Sequence, residues 1–235
     1  MLNNLIRWLV LLLCFLGSFG YGKTLLLYLD YMTTNAPLVF LTFVGGIVAY
    51  LVYWIAVGQR KPRFYSILEH ELTHLIFATL FLRTVHRLTV SRGAGGNVDV
   101  EGEENFIVAL SPYFFPLFTV LIILIKPSVF GQYQWIINIL LGISYGFHIV
   151  HMFNEFNTEQ PDLHKNGLLF SVTLIFFFNL FFTGLCVASL EGSWAEIFDY
   201  LVMGLKNSVV WFAAGGSPRA HARHRVHPAR RITGR

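Results

Sequence analysis

From Pro37 to Val57 the chain runs without one charged side chain. About 20 apolar residues, rising 1.5 Å each as a helix, cross the ~30 Å hydrocarbon core of a bilayer. Comparable apolar stretches recur at 5–19, 66–82, 106–125, 135–153 and 168–190. In lipid every backbone N–H and C=O must be satisfied within the chain, so runs of this kind fold as helices. The expected fold is therefore an all-α polytopic membrane protein with about six transmembrane helices. Composition agrees: 13% of residues are charged and 55% hydrophobic, with 23 Phe and a mean hydropathy of +0.58. Soluble domains average about a quarter charged residues, and a chain this apolar does not stay open in water.

The stretch from Leu5 to Phe19 is short for a span, and Ser18 and Gly20 sit where a signal peptide would be cut. An uncleaved first span is the preferred reading, because the later spans need an entry helix. Gly45 and Gly46 form a small patch suited to close helix contact. Between residues 84 and 104, Leu88 and Val90 share one face, as do Val98 and Val100, with a Gly93-Ala94-Gly95-Gly96 turn between them. This predicts a β-hairpin inserted after the third apolar helix. At 193–212, Glu196, Asp199, Met203, Lys206 and Asn207 make one polar stripe at helical spacing, the pattern of an interfacial amphipathic helix.

The net charge of +4 is misleading. Residues 215–235 hold six of the 17 basic residues and no acidic one, which leaves 11 basic against 13 acidic in the body. The chain reads as a membrane-embedded domain over 1–214, with its core at about 66–190, followed by a basic, disordered tail. With six spans, Arg7, Arg60, Lys61, Arg63, Lys126 and the tail share one side, as the positive-inside rule prefers. So short a basic segment on an anchored body does not imply nucleic-acid binding. Cys14 and Cys186 lie in apolar runs and imply packing rather than a disulfide framework.

The third apolar stretch contains His70-Glu71-Leu72-Thr73-His74. On a helix, histidines at i and i+4 project from one face and can bind one zinc ion. The glutamate after the first histidine then lies beside the metal, placed to deprotonate its water. Histidines in membrane helices also pair with neighbouring polar groups. Glu69, His70, Glu71 and His74 together in one apolar helix are harder to explain so, because charges at that depth are costly and mark function.

A third zinc ligand has several candidates. Phe77 and Leu80 stand where a metzincin has Gly and His, which excludes that class. Glu101, Glu103 and Glu104 lie at the hairpin end. Asp162 is favoured, being the sole aspartate between Asp99 and Asp199 and standing just before an apolar span, with Pro161 stiffening the approach. His148 and His151, at i and i+3, are alternative ligands or outer hydrogen-bonding partners of the site, and Asn157 is a further such partner.

With these motifs, the stretch from about Ser66 to Leu190 resembles the site-2 proteases, intramembrane zinc metalloproteases, in the form of a divergent bacterial member. The resemblance rests on HExxH in an apolar helix, a Gly-rich hairpin directly after it, and a Pro-Asp…Gly segment before a later span. The family's segment has Gly directly after Asp, whereas here Asp162 precedes Leu163 and the Gly comes at Gly167. The resemblance implies one Zn2+ held by His70, His74 and Asp162, with Glu71 as general base. It also implies a substrate that is the transmembrane segment of another membrane protein, and a place in the bacterial inner membrane. The hairpin would hold that substrate extended by strand addition. The alternatives are an inactive membrane scaffold or chaperone keeping a zinc-binding core, and a His-box di-iron oxidoreductase, for which the chain has few histidines and no His-His pair.

Overall fold

The computed structural model describes residues 2–60, 63–91, 95–102, 105–156 and 161–213, with the side chains of residues 2–4, 161 and 162 outside that description. The basic tail and Asn157 lie outside the described residues. Helix α1 spans Leu2–Asn35, α2 Pro37–Ala56 and α3 Phe64–Leu80. Strands β1 (Val85–Ser91) and β2 (Gly95–Val100) follow, then α4 (Phe106–Leu110), α5 (Leu117–Ile125), α6 (Gln134–Glu155), α7 (Pro161–Asn166), α8 (Leu168–Ser189) and α9 (Trp194–Ala213).

Four helical segments are long and apolar enough to cross a membrane: residues 5–35, 37–56, 131–155 and 168–189. A fifth crossing results if the bent segment 106–128 is one span. The molecule is thus a multi-helix body compatible with a multi-pass membrane protein, with a single small antiparallel hairpin among the described residues. The expected count of six is not reached on length and composition. Helix α3 has only 17 residues and carries four ionisable side chains in two turns.

Two boundaries differ from the expectation. The first helix does not stop at Phe19 but continues to Asn35. Gly20 and Gly22 do not break it, because tertiary packing overrides their low helix propensity. A Cβ on Gly20 would overlap Ser208 of α9, so the glycine lets that helix approach. The expected span 106–125 is instead a bent pair: α4 runs on as a 3-10 turn to Tyr113, and the chain then turns by 79° into α5. Pro112 and Pro116 supply the cause, since each removes a backbone donor and restricts the residue before it.

Packing follows small residues. Gly46 of α2 faces Gly142 of α6, and a Cβ on either would strike the other helix's backbone, whereas Gly45 has nothing within 4 Å. Only one of the two expected contact glycines is used. The larger core joins α1, α2, α6, α8 and α9 around Met32, Leu141, Cys186 and Tyr200. A second core at α4, α7 and α8 surrounds Leu110, Tyr113 and Leu163. Helix α9 buries Ile197, Tyr200 and Gly204, and Asn207 of its polar stripe turns inward to Thr24 Oγ1 at 2.9 Å. Lys126 is fully buried and donates from Nζ to Gln134 Oε1 (2.6 Å) and to the Leu190 carbonyl at the end of α8 (3.0 Å). There its charge opposes the negative end of the helix dipole.

The hairpin forms with Leu88 opposite Val98 and Val90 opposite Gly96. Gly95 and Gly96 belong to β2 rather than to the turn. An irregularity between Val85 and Arg87 bends β1, and both strands lie against α3.

Candidate metal centre

Helix α3 places His70 and His74 one turn apart, with ring centroids 4.9 Å from each other. Each ring is held by an oxygen at Nδ1. His74 Nδ1 lies 2.9 Å from the carbonyl of Val108, in the short helix α4. A carbonyl only accepts, so Nδ1 carries the proton and the lone pair of the neutral ring sits on Nε2. His70 Nδ1 lies 2.9 Å from Oε2 of Glu155, the last residue of α6. An imidazole fixed at Nδ1 by a carboxylate or carbonyl, with Nε2 left to donate, is the usual form of a metal-ligating histidine. Tyr113 meets the His70 ring edge-on at 5.6 Å and limits its rotation.

Glu71 is 8% exposed and lies against β2: a Cβ on Gly96 would overlap its side chain. His70, Glu71 and His74 line one cavity of about 740 Å³. Arg7, Lys165 and Asn166 close it from α1 and α7, and Asp99 projects from β2. Arg7 Nη2 donates to Asn166 Oδ1 at 3.2 Å, tying the start of the chain to the end of α7. Residues 96 to 100 of β2 all line this cavity. Successive strand side chains point to opposite faces, so an unbroken run means that the strand's edge, not one face, borders the space.

No family model matches the chain, and no curated protein or solved structure matches it either.

Asp162 belongs to α7, the helix whose Asn166 lines this cavity, but its own side chain lies outside the described residues. Among the described residues no three His, Cys, Asp or Glu side chains gather as a metal site. His148 and His151 are not brought to the cavity. His151 faces α2, with Nε2 at 2.9 Å from Tyr50 Oη and its ring against Trp54. His148 is 2% exposed and faces Asn179 of α8. Glu101 stands beside His86 at the hairpin base, 4.0 Å away and exposed. Glu69 is 6% exposed and lies at the start of α5, where the backbone N–H groups of Leu117 and Phe118 meet its carboxylate. It thus meets a helix N-terminus that Pro116 leaves without a side-chain cap, while among the described residues its Oε1 has no hydrogen-bond partner.

Sequence reasoning missed Glu155 and Gly96. For Glu155 a signal existed: with His148 and His151 it falls at i, i+3 and i+7, one polar face on α6. Gly96 carried no such signal, because the need for glycine there arises from a side chain 25 positions earlier in the chain.

Two imidazoles oriented through Nδ1 share one polar cavity, and borderline-soft Zn2+ favours such nitrogen ligands; among the described residues no third ligand stands with them.

Proposed function

We propose that this chain is an intramembrane zinc metalloendopeptidase of the site-2 protease type, hydrolysing peptide bonds in or near transmembrane segments of other membrane proteins. One observation carries the reading: His70 and His74 are both held at Nδ1 by oxygen acceptors while sharing a polar cavity with Glu71. His70, His74 and Asp162 would hold the ion. Zinc bound there would polarise the scissile carbonyl and bring the pKa of a bound water toward about 7.

The chain's own residues do the rest. Glu71 takes a proton as the water oxygen adds to the carbonyl carbon, and returns it to the leaving amine nitrogen as the C–N bond breaks. Its side chain lies against Gly96 in the cavity that both histidines line. The β2 edge supports an extended substrate, since a peptide adding there satisfies its backbone groups and exposes a carbonyl that a helix would hide. With α3 as a crossing and the bent 106–128 segment re-entrant, five crossings let α2 and α6 run parallel, as their contacts require, with the HExxH helix inside the bundle and the bacterial inner membrane as its place.

The test is Glu71→Gln in the purified protein, with a candidate membrane substrate. Zinc stays at about one per chain, while cleavage falls by about 10²–10⁴-fold, the range for loss of a general base. Equal cleavage by both forms removes Glu71 from the reaction. A scaffold keeping only the zinc core binds metal and cleaves nothing in either form.

A further inference from the structure

A second cavity of about 440 Å³ opens between α2, α3, α5 and α6. Its depth is apolar: Phe118, Ile122, Leu140, Ile143 and Phe147 form the wall. Its other end is polar and aromatic, with Tyr53, Trp54 and Tyr65 around Arg63. These residues sit where α2 and α6 end and α3 begins, the position at which Trp and Tyr gather at a membrane–water boundary. His151 also lines the cavity. It is 6% exposed, and among the described residues its Nδ1 has no hydrogen-bond partner. Arg63 is exposed, and among the described residues no carboxylate lines the space with it.

We propose that this cavity binds an anionic phospholipid, with one acyl chain along α6 and the phosphate at Arg63. Three features converge on that occupant. From Leu140 to His151 the α6 wall rises roughly 16 Å at 1.5 Å per residue, close to the ~15 Å depth of one leaflet's hydrocarbon. The volume is that of a small-ligand pocket, far below that of another transmembrane helix. Among the described residues that line the cavity Arg63 is the one permanently charged side chain, which complements a phosphate and leaves the choline of a zwitterionic lipid without a partner in the lining. The inference does not depend on the metal centre, and its readout is binding rather than proteolysis.

Trp54 lies in the wall and reports occupancy. Delipidated full-length protein in detergent is titrated with phosphatidylglycerol or phosphatidylcholine carrying brominated acyl chains, and the quenching lost in a Trp54→Phe variant is assigned to the cavity. Phosphatidylglycerol should quench this component saturably and at lower concentration than phosphatidylcholine. Arg63→Gln should weaken phosphatidylglycerol about fivefold, the worth of one basic residue at an anionic surface, and leave phosphatidylcholine unchanged. Ile143→Phe, which fills the apolar end, should weaken both. Equal quenching by the two lipids in the wild type overturns the proposal, as does an Arg63→Gln variant that keeps the preference. If Ile143→Phe leaves quenching intact in a protein with unchanged helix content, the lipid lies outside the cavity, and the proposal is likewise wrong.

Discussion

Glu155 accepts a hydrogen bond from His70 Nδ1 at 2.9 Å, across 85 positions of sequence. It joins the C-terminal turn of α6 to the helix that carries the HExxH motif. Through it the ring of His70 has a fixed tautomer and a fixed plane before any metal arrives. His74 obtains the same from a backbone carbonyl, which no substitution at Val108 removes.

Replacing Glu155 therefore acts on one histidine only. Glu155→Ala should lower zinc affinity 10–100-fold, the usual cost of losing the partner of a ligating histidine. Competition with a chromophoric chelator measures it. An affinity equal to that of the wild type would show that His70 is not a ligand.

Asp162→Ala should abolish stoichiometric zinc, whereas His148→Ala and His151→Ala should keep it. The two α6 histidines face Asn179 and Tyr50, away from the cavity of His70 and His74. Elemental analysis of the three purified variants separates the outcomes. Zinc lost on removing His151 instead would require α6 to turn in the loaded protein.

Gly96→Val tests the seat of Glu71. Valine suits a strand, and Gly96 has no left-handed backbone that a side chain would strain, so the hairpin should form. The added side chain competes with Glu71 for the same space. Cleavage should drop at least about tenfold with zinc content unchanged, as for a displaced general base. Gly96→Ala should show a smaller loss.

Glu69→Ala should leave zinc untouched and lower stability by about 1–2 kcal/mol, the range for losing an N-terminal acceptor of a helix. Glu69→Gln keeps an acceptor for the α5 amides and should recover part of this. Thermal unfolding in detergent reads both. A loss of zinc in Glu69→Ala would return this carboxylate to the metal centre.

His70, Glu71 and His74 were legible in the sequence because their spacing is local: a helix period alone puts both imidazoles on one face. The membrane character was legible for the same kind of reason, since hydropathy is a sum over neighbours in the chain. The hairpin could be read from alternation and glycine, although its two glycines at 95 and 96 proved to be strand. The length of α1 and the 79° bend were not legible as such. The apolar stretch suggested an end at Phe19, and the two prolines marked an interruption without giving its angle.

The sequence by itself determined which segments prefer lipid and which residues offer metal chemistry. Only the tertiary structure decided what each buried ionisable group faces. Glu69 meets the amides of α5, Glu155 meets His70, Lys126 meets the end of α8, and His151 meets Tyr50. In a low-dielectric interior a polar side chain is stable only with a partner. Those partners come from helices distant in sequence, so the chain order cannot name them.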